Sequence, residues 1–235
     1  MVHNLNLSVI ATLVVATGAD VVKITVQGQV RSVSPAFVSF TIDSASVCED
    51  RWSFPSGVDD TTISRINHLS PFVLRFGGTS QDYEQLVGPS VAPSDTLSSV
   101  WHLKDGCNIT ASKWSDLLQF SERVGAKLVY GENALLRVGG VDRNPFDPTN
   151  AAVLMNLTKD HPSRASLIGL TLGNEPTGWQ MQHISNMSAA EHAADYAILR
   201  KSIRSTLPGS ETLMLLGPDL YQFTYKATGL YRRYR

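Results

Sequence analysis

Five short, almost unbroken apolar runs set the strongest constraint on how this chain can fold: FVSFTI (37–42), FVLRF (72–76), KLVYG (127–131), LIGLTL (167–172) and LMLLG (213–217). A strand that is apolar at nearly every position is covered on both faces, which is the pattern of a parallel sheet flanked by helices. The stretches between the runs carry helix-start signals. Asp147 is placed to cap a helix with Pro148 at its first position, where a missing N–H costs nothing. Ser188 and Glu191 suit a capping box ahead of an alanine-rich stretch from Ala189 to Thr206, which Pro208-Gly209 stops. Trp114, Leu117, Leu118 and Val124 share one face of a further helix by their spacing. The β-α-β-α order predicts an α/β fold, either a doubly wound sheet or part of a (β/α)8 barrel. Val22, Ile24 and Val26 alternate with polar neighbours, as a half-buried strand does.

Charge and motifs exclude several functions. Lys and Arg number 20 against 21 Asp and Glu, a formal charge of -1 in 235 residues, so no global basic field for nucleic acid exists. The glycine pairs Gly77-Gly78 and Gly139-Gly140 match neither a dinucleotide nor a P-loop fingerprint. The six histidines, at positions 3, 68, 102, 161, 183 and 192, show no ligand spacing, so no metal or other cofactor is expected. A GxSxG elbow is missing as well. The two cysteines, Cys48 and Cys107, allow at most one disulfide. Residues 7–16 are apolar and precede Thr17, Gly18 and Ala19, which reads as a signal peptide over 1–19 and is too short for a membrane span of about 20 residues. Sequons at Asn6, Asn108, Asn156 and Asn186 accord with a secreted glycoprotein that has no integral span in its mature form.

Chemistry is expected where strands end. In a parallel β/α fold, polar residues just past the carboxyl end of a strand face a common mouth. Glu175, in LGNEP after the run 167–172, occupies such a place and is the candidate catalytic acid. Asn174 beside it can hydrogen-bond a sugar hydroxyl, and a loop turn is the plainer reading of both. Asp43 ends the first run, with a helix cap as its alternative. Thr79 follows Gly77-Gly78 after the second run, with an ordinary turn as its alternative. Asn133 reads more simply as a loop residue satisfying backbone, and Arg137 as an exposed structural arginine. Of the four tryptophans, Trp179 is the best candidate for a sugar platform.

At these residues the chain resembles the heparanase-like enzymes of glycoside hydrolase family 79, which cleave β-glucuronidic bonds in glycosaminoglycans and related glycans. The resemblance runs through VSPAFVSFTID (33–43), LSPFVLRFGGTSQD (69–82), KLVYGENALLR (127–137), LIGLTLGNEP (167–176) and LLGPDL (215–220), in family order. It implies an incomplete (β/α)8 barrel of about five of eight units over 20–220, without the family's C-terminal β-sandwich. It also implies a retaining mechanism with Glu175 as acid/base, Asn174 as its partner, and Asp43 and Thr79 lining the sugar subsite. The second carboxylate lies on a later strand of the family and matches no acidic residue here. The implied partner is a glucuronic-acid-containing polysaccharide or proteoglycan glycan, and the implied location is secreted, extracellular or lysosomal. Residues 221–235 depart from the family as an irregular basic tail, four of whose last ten residues are Lys226, Arg232, Arg233 and Arg235. The alternative is a truncated form that binds a glycan or a partner protein without cleaving anything.

Overall fold

The computed structural model describes residues 34–48, 54–87, 107–140, 144–179 and 185–219. The expected signal segment, the strand around 22–26 and the basic tail lie outside the described residues. The strands are β1 (Ser39–Asp43), β2 (Phe72–Gly77), β3 (Glu84–Val87), β4 (Cys107–Thr110), β5 (Ala126–Glu132), β6 (Leu167–Leu172) and β7 (Met214–Leu216). The helices are α1 (Ala45–Cys48), α2 (Asp60–Asn67), α3 (Ala111–Arg123), α4 (Thr149–Lys159), α5 (Pro176–Trp179) and α6 (Ala189–Thr206).

All five apolar runs become strands of one sheet in the order β1-β2-β5-β6-β7, with every pairing parallel. That order decides between the two architectures. A doubly wound sheet reverses its strand order at a switch point and carries helices on both faces, whereas a barrel adds each strand to the same side of the last. Here the order never reverses. The core also forms on one face. Phe72, Leu74 and Phe76 of β2, Leu128 and Tyr130 of β5, and Leu170 and Leu172 of β6 pack with Trp114, Leu117, Leu118, Leu154, Met155, Leu199 and Ile203 of the helices. Register places these strand residues on the same side. The other side carries Asp43, Val73, Arg75, Gly77, Val129, Gly131 and Thr171, and Val129, though buried, takes no part in that core. The sheet is therefore an arc of a (β/α)8-type barrel, with helices outside and a small, polar face inside.

Tyr130 joins the layers, stacked on Phe76 at 5.8 Å between ring centroids and meeting Trp114 edge-on at 5.0 Å. The first run departs from expectation. Its apolar residues are open, with Phe37 74% and Phe40 42% exposed, because β1 has a single neighbour among the described residues. A second, two-stranded parallel sheet of β3 and β4 was not anticipated, since neither segment is apolar enough to stand out. Cys48, at the end of α1, is disulfide-bonded, and the sequence holds one other cysteine, Cys107 on β4.

The helix starts follow their sequence signals closely. Ser188 Oγ accepts from the Glu191 N–H at 3.3 Å while the Glu191 carboxylate accepts from the Ser188 N–H at 2.7 Å, a complete capping box on α6. α4 starts one residue later than expected. Pro148 stands at the cap position, and Asp147 Oδ1 accepts from both the N–H and the hydroxyl of Thr149.

Phe76→Ala is expected to cost about 3–5 kcal/mol by emptying the centre of the core. Ser188→Ala should cost about 1 kcal/mol by removing half of the cap. Urea unfolding of the two variants beside the parent protein measures both, and a Phe76→Ala cost no larger than that of Ser188→Ala would contradict the assigned core.

Candidate active site

Because the strands are parallel and in chain order, their carboxyl ends share one rim, and each candidate residue stands on it. Asp43 is the last residue of β1, opposite Gly77 in register. Its Oδ1 accepts from the Ala45 N–H at 2.9 Å, so it does cap the segment that follows, while its other oxygen lies against Gly78 in the space a side chain there would fill. Thr79 is exposed and opens a 3-10 turn, Thr79–Tyr83, that folds back over the rim. Asn174 and Glu175 follow β6, the first buried and the second half-buried. Glu175 has φ 51, the left-handed region, and among the described residues no other non-glycine residue has positive φ.

Arg75 and Gln81, neither of them expected as a site residue, bind this rim together. Arg75, on the inner face of β2, donates through Nη2 to Gln81 Oε1 at 3.3 Å, to Asn174 Oδ1 at 3.2 Å and to Asp219 Oδ2 at 2.6 Å. It thus joins the ends of β2, β6 and β7. Since a guanidinium only donates, Asn174 must turn its oxygen toward Arg75, which leaves its Nδ2 amide as the group free to serve a ligand. Gln81 reaches the same point by lying across Gly77 and Gly131. A Cβ on Gly77 would sit 2.6 Å from Gln81 Oε1, and one on Gly131 would collide with the same amide. The Gln81 Nε2 donates to the Glu132 carbonyl at 3.2 Å.

Three carboxylates are buried beneath the rim. Both oxygens of Asp82 accept from the Asn174 N–H at 3.1 Å, and Oδ2 also accepts from the Trp179 indole at 3.1 Å. Burial pushes the Asp82 carboxyl well up, opposed by those two donors and by the charge of Arg75. Glu84 accepts from the Tyr130 hydroxyl at 2.5 Å and is pushed well up by burial, with the Glu132 charge adding to the shift. Glu132 accepts from Asn150 Nδ2 at 3.0 Å and is raised by burial to about 7. One carboxylate oxygen of Glu84 and one of Glu132 have no hydrogen-bond partner among the described residues.

Other expectations are settled here. Asn133 is structural: its Oδ1 accepts from the Leu135 N–H and its Nδ2 donates to the Glu84 carbonyl. Arg137 is not exposed but 7% accessible, because α6 sets buried Asp195 against it at 2.6 Å. Trp179 is no open platform, being 2% exposed with its ring edge against Gly173. A polar residue inside an apolar run, Arg75 in FVLRF, is the signal that points to this network, since a part-buried guanidinium needs acceptors.

The parallel sheet in chain order, with helices on one face and its strand ends on one rim, defines the chain as a (β/α)8-type barrel arc. The chain belongs to glycosyl hydrolase family 79: residues 57–226 match that family's N-terminal domain. It is 27% identical to the heparanase of Rattus norvegicus over 245 aligned residues, covering 87% of this chain and 44% of that protein. It is 28% identical to the Mus musculus heparanase with the same coverage. Identity to heparanase-like protein 3 of Arabidopsis thaliana is 28%, over 60% of this chain and 26% of that one. Among solved structures it is similar to a 4-O-α-L-rhamnosyl-β-D-glucuronidase from Fusarium oxysporum, with a TM-score of 0.50 at 18% identity. That likeness covers 74% of this chain and 36% of the other, and it supports the fold. The chain spans less than half the length of these relatives.

Glu132 makes stability depend on pH. Its folded value near 7 lies above the ordinary 4.5, so the folded state keeps a proton that the unfolded chain releases. Stability from this group is fully present below about 4.5 and falls as pH rises to about 7, by roughly 3 kcal/mol in all. Asp82 and Glu84 act in the same direction. Thermal melts at pH 5 and pH 8 should show a lower Tm at pH 8, and Glu132→Gln should narrow that difference. An unchanged difference would contradict the buried, protonated state of Glu132.

Proposed function

We propose that this chain carries the acid/base half of a retaining glycosidase that cleaves β-glucuronidic bonds in a glucuronic-acid-containing polysaccharide or proteoglycan glycan. The observation that carries the reading is Glu175 in a left-handed backbone conformation at the carboxyl end of β6, in a chain of glycosyl hydrolase family 79. A non-glycine residue in that region costs of order 1–3 kcal/mol and persists where the surrounding structure holds it, often at a functional site. In the proposed mechanism Glu175 protonates the glycosidic oxygen as the bond breaks, then takes a proton from the water that releases the glycosyl-enzyme intermediate. Asn174, its oxygen held by Arg75, offers Nδ2 to a sugar oxygen. Asp43 and Thr79, on the neighbouring strand ends, line the same subsite.

A retaining enzyme also needs a nucleophilic carboxylate about 5–5.5 Å from the acid/base. Asp43 is engaged by the Ala45 N–H and Asp219 by Arg75, so we assign that role to neither. Secretion or residence in an acidic lysosomal compartment fits the apolar segment at 7–16 and the gain in stability on acidification. Among the described residues no helix is long and apolar enough to cross a membrane.

Hydrolysis of an aryl β-glucuronide, assayed in a protein that joins this chain to the nucleophilic carboxylate, tests the reading. Glu175→Gln should lower turnover by about 10²–10⁴-fold, the usual contribution of a general acid/base. With Glu175→Ala, added azide should restore turnover as the β-glycosyl azide, because azide needs no base. Turnover indifferent to Glu175 would remove it from the mechanism, and glycan binding without hydrolysis would favour the non-cleaving alternative.

A further inference from the structure

We propose that Asp82 is the positioning residue for Glu175, its buried carboxylate holding the turn from which the acid/base projects; this rests on the role of Glu175 proposed above. The turn is short and irregular. It leaves β6 through Gly173 at φ 74 and Glu175 at φ 51, and enters α5, a single helical turn of four residues too short to be stable alone. The Gly173 N–H donates to the Glu132 carbonyl at 2.9 Å and the Gly178 N–H to the Glu175 carbonyl at 2.7 Å.

Asp82 grips this turn on both sides of Glu175. The Asn174 N–H immediately before it reaches both carboxylate oxygens, and the Trp179 indole N–H beyond it reaches Oδ2. Trp179 in turn closes on the start of the turn, since a Cβ on Gly173 would lie 2.7 Å from Trp179 Cη2. Asp82 is itself 3% exposed and fixed within the 3-10 turn Thr79–Tyr83, so both strand ends are referenced to one buried group. Asp82 suits this place because its two oxygens offer acceptors to the Asn174 N–H and the Trp179 indole N–H together.

Asp82→Asn is the direct test, because it keeps the shape but turns an N–H₂ toward one of the donors. Amide hydrogen exchange of the full chain, read by mass spectrometry, should be at least tenfold faster across 172–179 in the variant, with 189–206 in α6 unchanged. On the aryl β-glucuronide, kcat should fall at least tenfold while KM stays within about twofold, a split that loss of general stability would not give. Unchanged exchange across 172–179 would overturn the proposal whatever the activity. So would an unchanged kcat in a protein that Glu175→Gln inactivates. If the protein that also contains the nucleophilic carboxylate shows no hydrolysis, the proposed function fails and the exchange measurement alone decides the role of Asp82. Should Asp82→Asn not fold, Trp179→Phe removes one donor while keeping a ring against Gly173. Faster exchange over 172–179 supports the proposal, and no change overturns it.

Discussion

Parallel pairing in chain order is the constraint from which the remaining features follow. Each strand enters at the same end and leaves at the same rim, so side chains far apart in sequence become neighbours without any long connection having to cross the sheet. Arg75 and Asn174 are 99 residues apart, and Arg75 and Asp219 are 144 apart, yet all three meet because β2, β6 and β7 finish together. One-sided helix packing sets the complementary condition. With the large apolar side chains directed outward to α3, α4 and α6, the inner face can carry the smaller Val73, Gly77, Val129, Gly131 and Thr171 beside Asp43 and the guanidinium of Arg75.

The short connection after β2 ties these features together. Within Thr79–Tyr83, Gln81 crosses the inner face to β5 and Asp82 turns to the loop after β6. Gln81 could not lie there if Gly77 and Gly131 carried side chains. The next residue but one, Glu84, continues the same path to the outer layer through the Tyr130 hydroxyl. Over four residues the chain thus connects the inside of the arc, its rim and its helical shell.

Much of the framework was legible in the sequence because it depends on local patterns. The five apolar runs fall on the five strands of the main sheet, and α6 begins and ends where its capping box and Pro208-Gly209 place it. The position of Glu175 just beyond a buried strand was legible for the same reason. What the pattern could not show were contacts between distant residues. Asp82 reads as one more polar residue in a turn, and only the pairing of β2 and β6 through β5 brings it to Asn174. The β3–β4 pair was hidden because short strands with polar residues such as Glu84 and Asn108 resemble loops. Arg137 was misjudged because burial beside Asp195 depends on where α6 crosses, not on its neighbours in sequence.

The buried carboxylates under the rim also make folding itself a proton-consuming reaction. At mildly acidic pH an unfolded chain presents Glu132 ionised, and the folded protein holds it neutral, so each molecule that folds withdraws a proton from its surroundings. Refolding in weak buffer would leave the solution more alkaline, and a fall in external pH would pull the folding equilibrium forward by mass action.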